Sequence, residues 1–154
     1  MRARPLTATL LVLAGAAAAA CVRDPATAVW ARGETVAQSL AEQVRAVEPG
    51  ASVSLESVAP FRWERLFILP AGAAPPAVLD SLGAAWPALA RRAPASRPDA
   101  TRLVFLAGGT VIAAAALPAD AARLSGELVG RGYAPAEAVF RVERPRGETP
   151  RLVR

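Results

Sequence analysis

Carboxylates are the only conventional acid–base groups that this chain offers in number. Histidine, lysine and asparagine are absent, and all 18 basic residues are arginine. That excludes histidine acid–base chemistry, histidine-ligated metals, Schiff-base lysine and a phosphate-binding P-loop. One cysteine, Cys21, allows neither an intrachain disulfide nor a cysteine-cluster zinc site. None of the serines sits in Gly-x-Ser-x-Gly, and no histidine or lysine is there to activate one. Asp80, Asp99 and Asp120 lack calcium-loop spacing, and Gly108-Gly109 opens no helix that could cradle a phosphate. One pair remains for catalysis. Glu56 and Glu64 fall on neighbouring strands by sequence pattern and could face each other as general acid and base, or stand apart as solvated strand residues. No metal or cofactor is expected.

The other constellation is Trp63-Glu64-Arg65. Residues 61–69 alternate as a strand, with Phe61, Trp63, Arg65, Phe67 and Leu69 on one face and Arg62, Glu64, Leu66 and Ile68 on the other. Trp63 and Arg65 would then share a face, with the guanidinium near the indole. This makes either a small anion- or peptide-binding patch or a packed tryptophan beside an ion pair at a sheet edge. Neighbours on a strand point apart, so Glu64 and Arg65 must each find their own partner.

The amino terminus reads as an address. Arg2 and Arg4 precede the apolar stretch Leu6–Leu13, and Ala18 and Ala20 give a small-residue cleavage site. The lone Cys21 follows directly. Ala19-Ala20-Cys21 resembles the end of a bacterial lipoprotein signal, which implies cleavage before Cys21 and its lipidation; the alternative is ordinary signal cleavage leaving a free thiol. Removing residues 1–20 takes Arg2 and Arg4 away and lowers the net charge from +5 to +3. With no lysine or histidine and one tyrosine, a small arginine excess suffices to raise the isoelectric point, so nucleic acid is not an expected partner.

The elements that must position these residues follow from periodicity and punctuation. Asp24-Pro25 and Gly33 make residues 21–33 read as a tether. Val36, Leu40, Val44 and Val47 stripe a helix over 35–47, ended by Pro49-Gly50. Strands are expected over 52–59, 61–69, 102–107, 110–117 and 138–143. Gly108-Gly109 makes the third and fourth strands of this set a hairpin. A second helix is expected over 77–91, with Gly83 tolerated in its interior and Pro87 ending or kinking it, and a short third helix over 118–131, capped by Asp120. The expected core is Trp63, Phe67, Leu82, Trp86, Val104, Phe105 and Phe140, mutually close. Arg144 onward reads as a disordered basic tail.

Residues 61–89 and 102–117 resemble a group of small bacterial exported lipoproteins of unknown function. The residues that carry the likeness are Trp63-Glu64-Arg65, Leu66 to Pro70, Leu82-Gly83-Ala84-Ala85-Trp86 and Leu103-Val104-Phe105. The resemblance implies an α+β fold and an exported location, and no activity. The expected architecture is thus α+β, an antiparallel sheet of about four to five strands with two or three helices packed on it. Its parts are a signal peptide at 1–20, a tether at 21–33, one domain at 34–144 and a tail at 145–154. The expected function is an exported, lipid-anchored cell-envelope protein on the periplasmic or outer side of a membrane. It would serve as a non-catalytic binding or structural module for an envelope protein or small ligand. The alternative is a cell-envelope hydrolase using acidic residues alone.

Overall fold

The computed structural model describes residues 24–71, 74–94 and 100–154. The expected signal peptide and Cys21 lie outside these residues. Four α-helices and two four-stranded, largely antiparallel sheets give an α+β architecture. The helices are α1 (Pro25–Ala46), α2 (Leu55–Val58), α3 (Pro76–Leu82) and α4 (Trp86–Arg91). The strands are β1 (Ser52–Ser54), β2 (Arg65–Leu69), β3 (Thr101–Ala107), β4 (Thr110–Leu117), β5 (Arg123–Leu124), β6 (Gly132–Tyr133), β7 (Val139–Glu143) and β8 (Arg151–Val153). One sheet has the order β4-β3-β2-β6 and the other β1-β7-β8-β5, so the single sheet expected from the sequence is two. Among the described residues only β5 and β8 pair in parallel.

The β4-β3-β2-β6 sheet is apolar on both faces because both are covered. Leu66, Ile68, Leu103, Phe105, Ala113, Ala115 and Tyr133 face the second sheet, where Val53, Phe140, Val142 and Leu152 complete one core cluster. Leu69, Val104, Leu106, Val111, Ala114 and Ala116 face Val78, Leu82 and Trp86 of α3 and α4 in a second cluster. The aromatic core is therefore divided. Trp63, Phe105 and Phe140 lie on one side, Leu82, Trp86 and Val104 on the other, and Phe67 is only half-buried beside the second group.

Helix α1 covers the otherwise open edge of β4, one way a fold protects an unpaired strand. A bulge leaves Ile112 unpaired between Val111 and Ala113, and the Arg32 guanidinium donates to the Ile112 carbonyl at 2.8 Å. Gly33 lies directly on the β4 backbone at Ala114, where a Cβ would come within 1.8 Å of the carbonyl oxygen. The alanine run 113–116, poor strand material by propensity, is what allows a helix so close. Trp30 of α1 joins the helix-side cluster, while Val36, Leu40 and Val44 join the other, so α1 crosses the edge between the two cores.

The tether expectation for residues 21–33 is overturned from Asp24 onward. Asp24 is the N-cap, its carboxylate accepting from the Ala26 N–H at 3.1 Å, and Pro25 occupies the first turn, where a missing N–H costs nothing. The first turns are also pinned. Asp24 pairs with Arg92, and the Trp30 indole donates to the Leu89 carbonyl at 3.0 Å while its ring packs on Trp86.

The tail expectation fails for a related reason. β8 pairs with β7 and buries Leu152. Arg144 donates to the carbonyls of Val44, Arg45 and Val47 at the end of α1, capping its negative pole. Arg144→Met should lower stability by about 1–2 kcal/mol in urea denaturation, with the cooperativity of unfolding unchanged.

Three further elements differ from their sequence expectations. The helix expected over 77–91 is two helices, because Gly83 adopts φ +74° and closes α3 as its C-cap. Pro87 lies in the first turn of α4 and so begins a helix rather than ending one. The region 118–131 holds β5 and a single 3-10 turn at Gly126–Leu128 in place of a helix. The strand expected over 52–59 gives way after Ser54 to the single turn α2. The Gly108-Gly109 hairpin stands as expected, both glycines at positive φ.

Candidate functional site

The Trp63-Glu64-Arg65 segment lies where the chain enters β2. Strand pairing begins at Arg65, after Pro60 and a bent stretch over 61–64, so the alternation expected from Phe61 onward does not hold through Trp63. Trp63 turns into the core with Leu66 and Ile68, its ring 5.4 Å from Phe105 in an edge-on contact. Phe61 makes a perpendicular contact with the same ring at 5.5 Å. Trp63 and Arg65 therefore do not share a face, and the expected indole–guanidinium contact is absent. The cation above an aromatic ring is Arg32, 5.8 Å from the centre of Phe61.

Glu64 and Arg65 point apart, as their positions on an extended chain require, but of the two only Glu64 has a polar partner among the described residues, and the one expected for Arg65 is not found. The Glu64 carboxylate accepts from the Gly108 N–H at 3.0 Å, and its own N–H donates to Leu106 at 2.8 Å. It ties the β2 entry to the β3–β4 turn, whose positive-φ glycines leave an N–H pointing outward. Arg65 is exposed, and its stem runs beside Phe67 across Gly132 of β6. A Cβ at Gly132 would meet Phe67 at 2.8 Å and the Arg65 Cδ at 3.2 Å. Glycine at that position is what lets the stem lie flat.

Two open clefts flank Glu64. One, of about 500 Å³, is lined by Glu64, Arg65, Phe67, Ser81, Leu106, Gly109 and Gly132. The other, of about 600 Å³, is lined by Glu56, Phe61, Arg62, Trp63, Glu64, Ala107 and Pro135. Each places a carboxylate and a guanidinium over aromatic and backbone surface. Glu56 comes from α2 rather than a strand, yet it lines the same cleft as Glu64. Sequence reading singled out the central three residues and missed Gly132, Ser81 and Pro135. These come from segments 16 or more positions away, and only the tertiary fold brings them in. Arg62, expected on one face with Leu66 and Ile68, is exposed while those two are buried, because the alternation does not hold over 61–64.

No group of three or more metal-ligating side chains occurs among the described residues. Tyr133, beneath the sheet, donates to the Leu128 carbonyl at 2.9 Å, and burial pushes its phenol above the ordinary tyrosine range, so it stays a donor. No helix among the described residues is long and apolar enough to cross a membrane.

Glu64→Ala should cost about 1 kcal/mol through loss of the turn contact, read as a lowered denaturation midpoint, and Glu64→Gln should lose less because its amide oxygen still accepts. Arg65→Met should preserve stability better than Arg65→Ala, because the methionine keeps the stem over Phe67 and Gly132. Equal losses for the two Arg65 variants would place the stem elsewhere.

No family model matches the sequence, and no curated protein and no solved structure matches the chain.

Proposed function

We propose that this is an exported, lipid-anchored cell-envelope protein whose domain is a non-catalytic binding module, with the clefts beside Glu64 as its binding surface. The observation that carries the binding role is the presence of opposite charges and aromatic walls in each cleft: Glu64, Arg65 and Phe67 line one, and Glu56, Glu64, Arg62 and Phe61 the other. Such a surface suits a ligand bearing both charges, as a peptide does. Export and anchoring rest on the sequence: Arg2 and Arg4, the apolar stretch, the small residues and the lone Cys21. Two acyl chains on Cys21 would hold the protein stably to a membrane.

Intact mass of membrane-extracted protein tests the anchor. The expected species begins at Cys21 and carries lipid, and Cys21→Ser should release the protein from membranes. An unmodified Cys21 or an uncleaved Met1 would overturn it. For the surface, pulldown from membrane extracts with Arg65→Ala and Arg62→Ala should lose captured partners that the unaltered domain retains.

One observation favours a second reading, a hydrolase working with carboxylates alone: Glu56 and Glu64 share a cleft. Under that reading Glu56→Gln abolishes turnover of a cell-wall substrate while binding persists. Under the first reading both Glu→Gln changes weaken binding and there is no turnover to lose.

A further inference from the structure

Only three residue steps separate Cys21 from Asp24, the N-cap of α1. Fully extended, they span about 10 Å. The domain they would hold has a radius of gyration of about 14 Å for a chain of this size. A spacer of that length keeps the attached end of the domain within about 10 Å of any surface that holds Cys21. The attachment point is also rigid: Asp24 caps α1 and pairs with Arg92, and Trp30 is fixed to Leu89 and Trp86.

The register of α1 on β4 determines which end of the domain the attachment point belongs to. Arg32 sits at Ile112 and Gly33 at Ala114, while Ala37 and Ala41 lie beside Pro118, just beyond β4. Helix and strand therefore run in the same direction. Pro25 lies about 12 Å back from Gly33 at 1.5 Å per residue, and Thr110 about 13 Å back from Ala114 at 3.3 Å per residue. The amino end of α1 is thus level with the Gly108-Gly109 turn. That turn carries the Glu64 contact, and Glu64 and Gly109 line the cleft beside it.

We propose that the domain docks on a lipid surface through the amino end of α1 and the adjoining end of α4, with the Glu64 clefts at the same, membrane-facing end. The proposal rests on the anchoring of Cys21. Arg91, in the last turn of α4, has no ion-pair partner among the described residues and is available to anionic headgroups at that end. The clefts then meet their ligand at the bilayer rather than out in the aqueous space.

The absence of lysine makes this measurable, because one introduced lysine is the only side-chain amine. Thr110→Lys at the turn and Glu48→Lys beyond the far end of α1 are both exposed sites. Each variant, starting at Cys21, is coupled through that thiol to a maleimide lipid in phosphatidylcholine vesicles containing anionic phosphatidylglycerol, and labelled with an amine-reactive fluorophore. The parent protein, labelled alongside, supplies the signal of the amino terminus for subtraction. A quencher in the headgroup layer should reduce the 110 signal at least about twofold more than the 48 signal. A linker of about twelve Gly and Ser residues inserted before Asp24 should bring the two together. Equal quenching without the insert, or stronger quenching at 48, overturns the proposal. Because the lipid is attached chemically, this result is independent of whether cells lipidate Cys21, which intact mass decides separately.

Discussion

Gly33→Ala should destabilise the protein by about 2–4 kcal/mol and loosen α1 from the edge of β4. Helix propensity alone predicts the opposite sign. In the middle of a 22-residue helix, replacing glycine by alanine should gain about 1 kcal/mol. The structure reverses this, because the added methyl would stand 1.8 Å from the Ala114 carbonyl oxygen and 2.2 Å from its carbon. These are backbone atoms in a paired strand and cannot rotate aside as a side-chain tip would. Relief requires α1 to move outward, which would pull Arg32 from the bulged Ile112 carbonyl and Trp30 from Trp86. Gly126→Ala is the control: nothing lies within 4 Å of its Cβ and its φ is not positive, so stability should stay within about 0.5 kcal/mol. Urea denaturation of both variants checks the pair. A Gly33→Ala protein as stable as its parent would show that α1 does not lie on β4 at this distance.

The same contact shows what the sequence could and could not reveal. Features set by neighbouring residues were legible: the Gly108-Gly109 hairpin, the stripe of Val36, Leu40 and Val44, and the strand at 138–143 that buries Phe140, whose pattern alone does not choose Val142 over Val139 as its inward neighbour. Asp24-Pro25 carried a helix-start signal, an N-cap followed by proline, but it stands equally for a break in structure. What decides between these is Arg92 and Leu89, more than 58 positions away. The alanine run 113–116 reads as weak strand until the helix that needs its small side chains is in place. β8 depends on its pairing with β7 and β5, and its Arg-rich surroundings hide that. At the site, Glu64 and Arg65 were correctly separated by strand geometry. Trp63 was placed on the wrong face because Pro60 and the bend after it shift the alternation.

Phe105→Ala and Trp86→Ala should each cost about 3–5 kcal/mol, a large share of the total stability of a domain this size. Phe105 is fully buried and receives the edge-on contacts of both Phe61 and Trp63. Trp86, 4% exposed, closes the opposite cluster with Leu82 and Trp30. The sheet between them makes a sharper claim than either loss alone. Residues without a shared partner contribute independently, so milder truncations on the two faces, Phe105→Leu and Trp86→Phe, should combine additively within about 0.5 kcal/mol. Phe105→Leu with Trp63→Phe, which do share a contact, should couple by about 0.5–1.5 kcal/mol. A single mixed core, as the strand and helix patterns predict, would couple all three. Double-mutant cycles from denaturation midpoints separate the arrangements. Coupling between positions 105 and 86 above about 1 kcal/mol would mean that strain passes through the sheet and that its two faces do not act as separate cores.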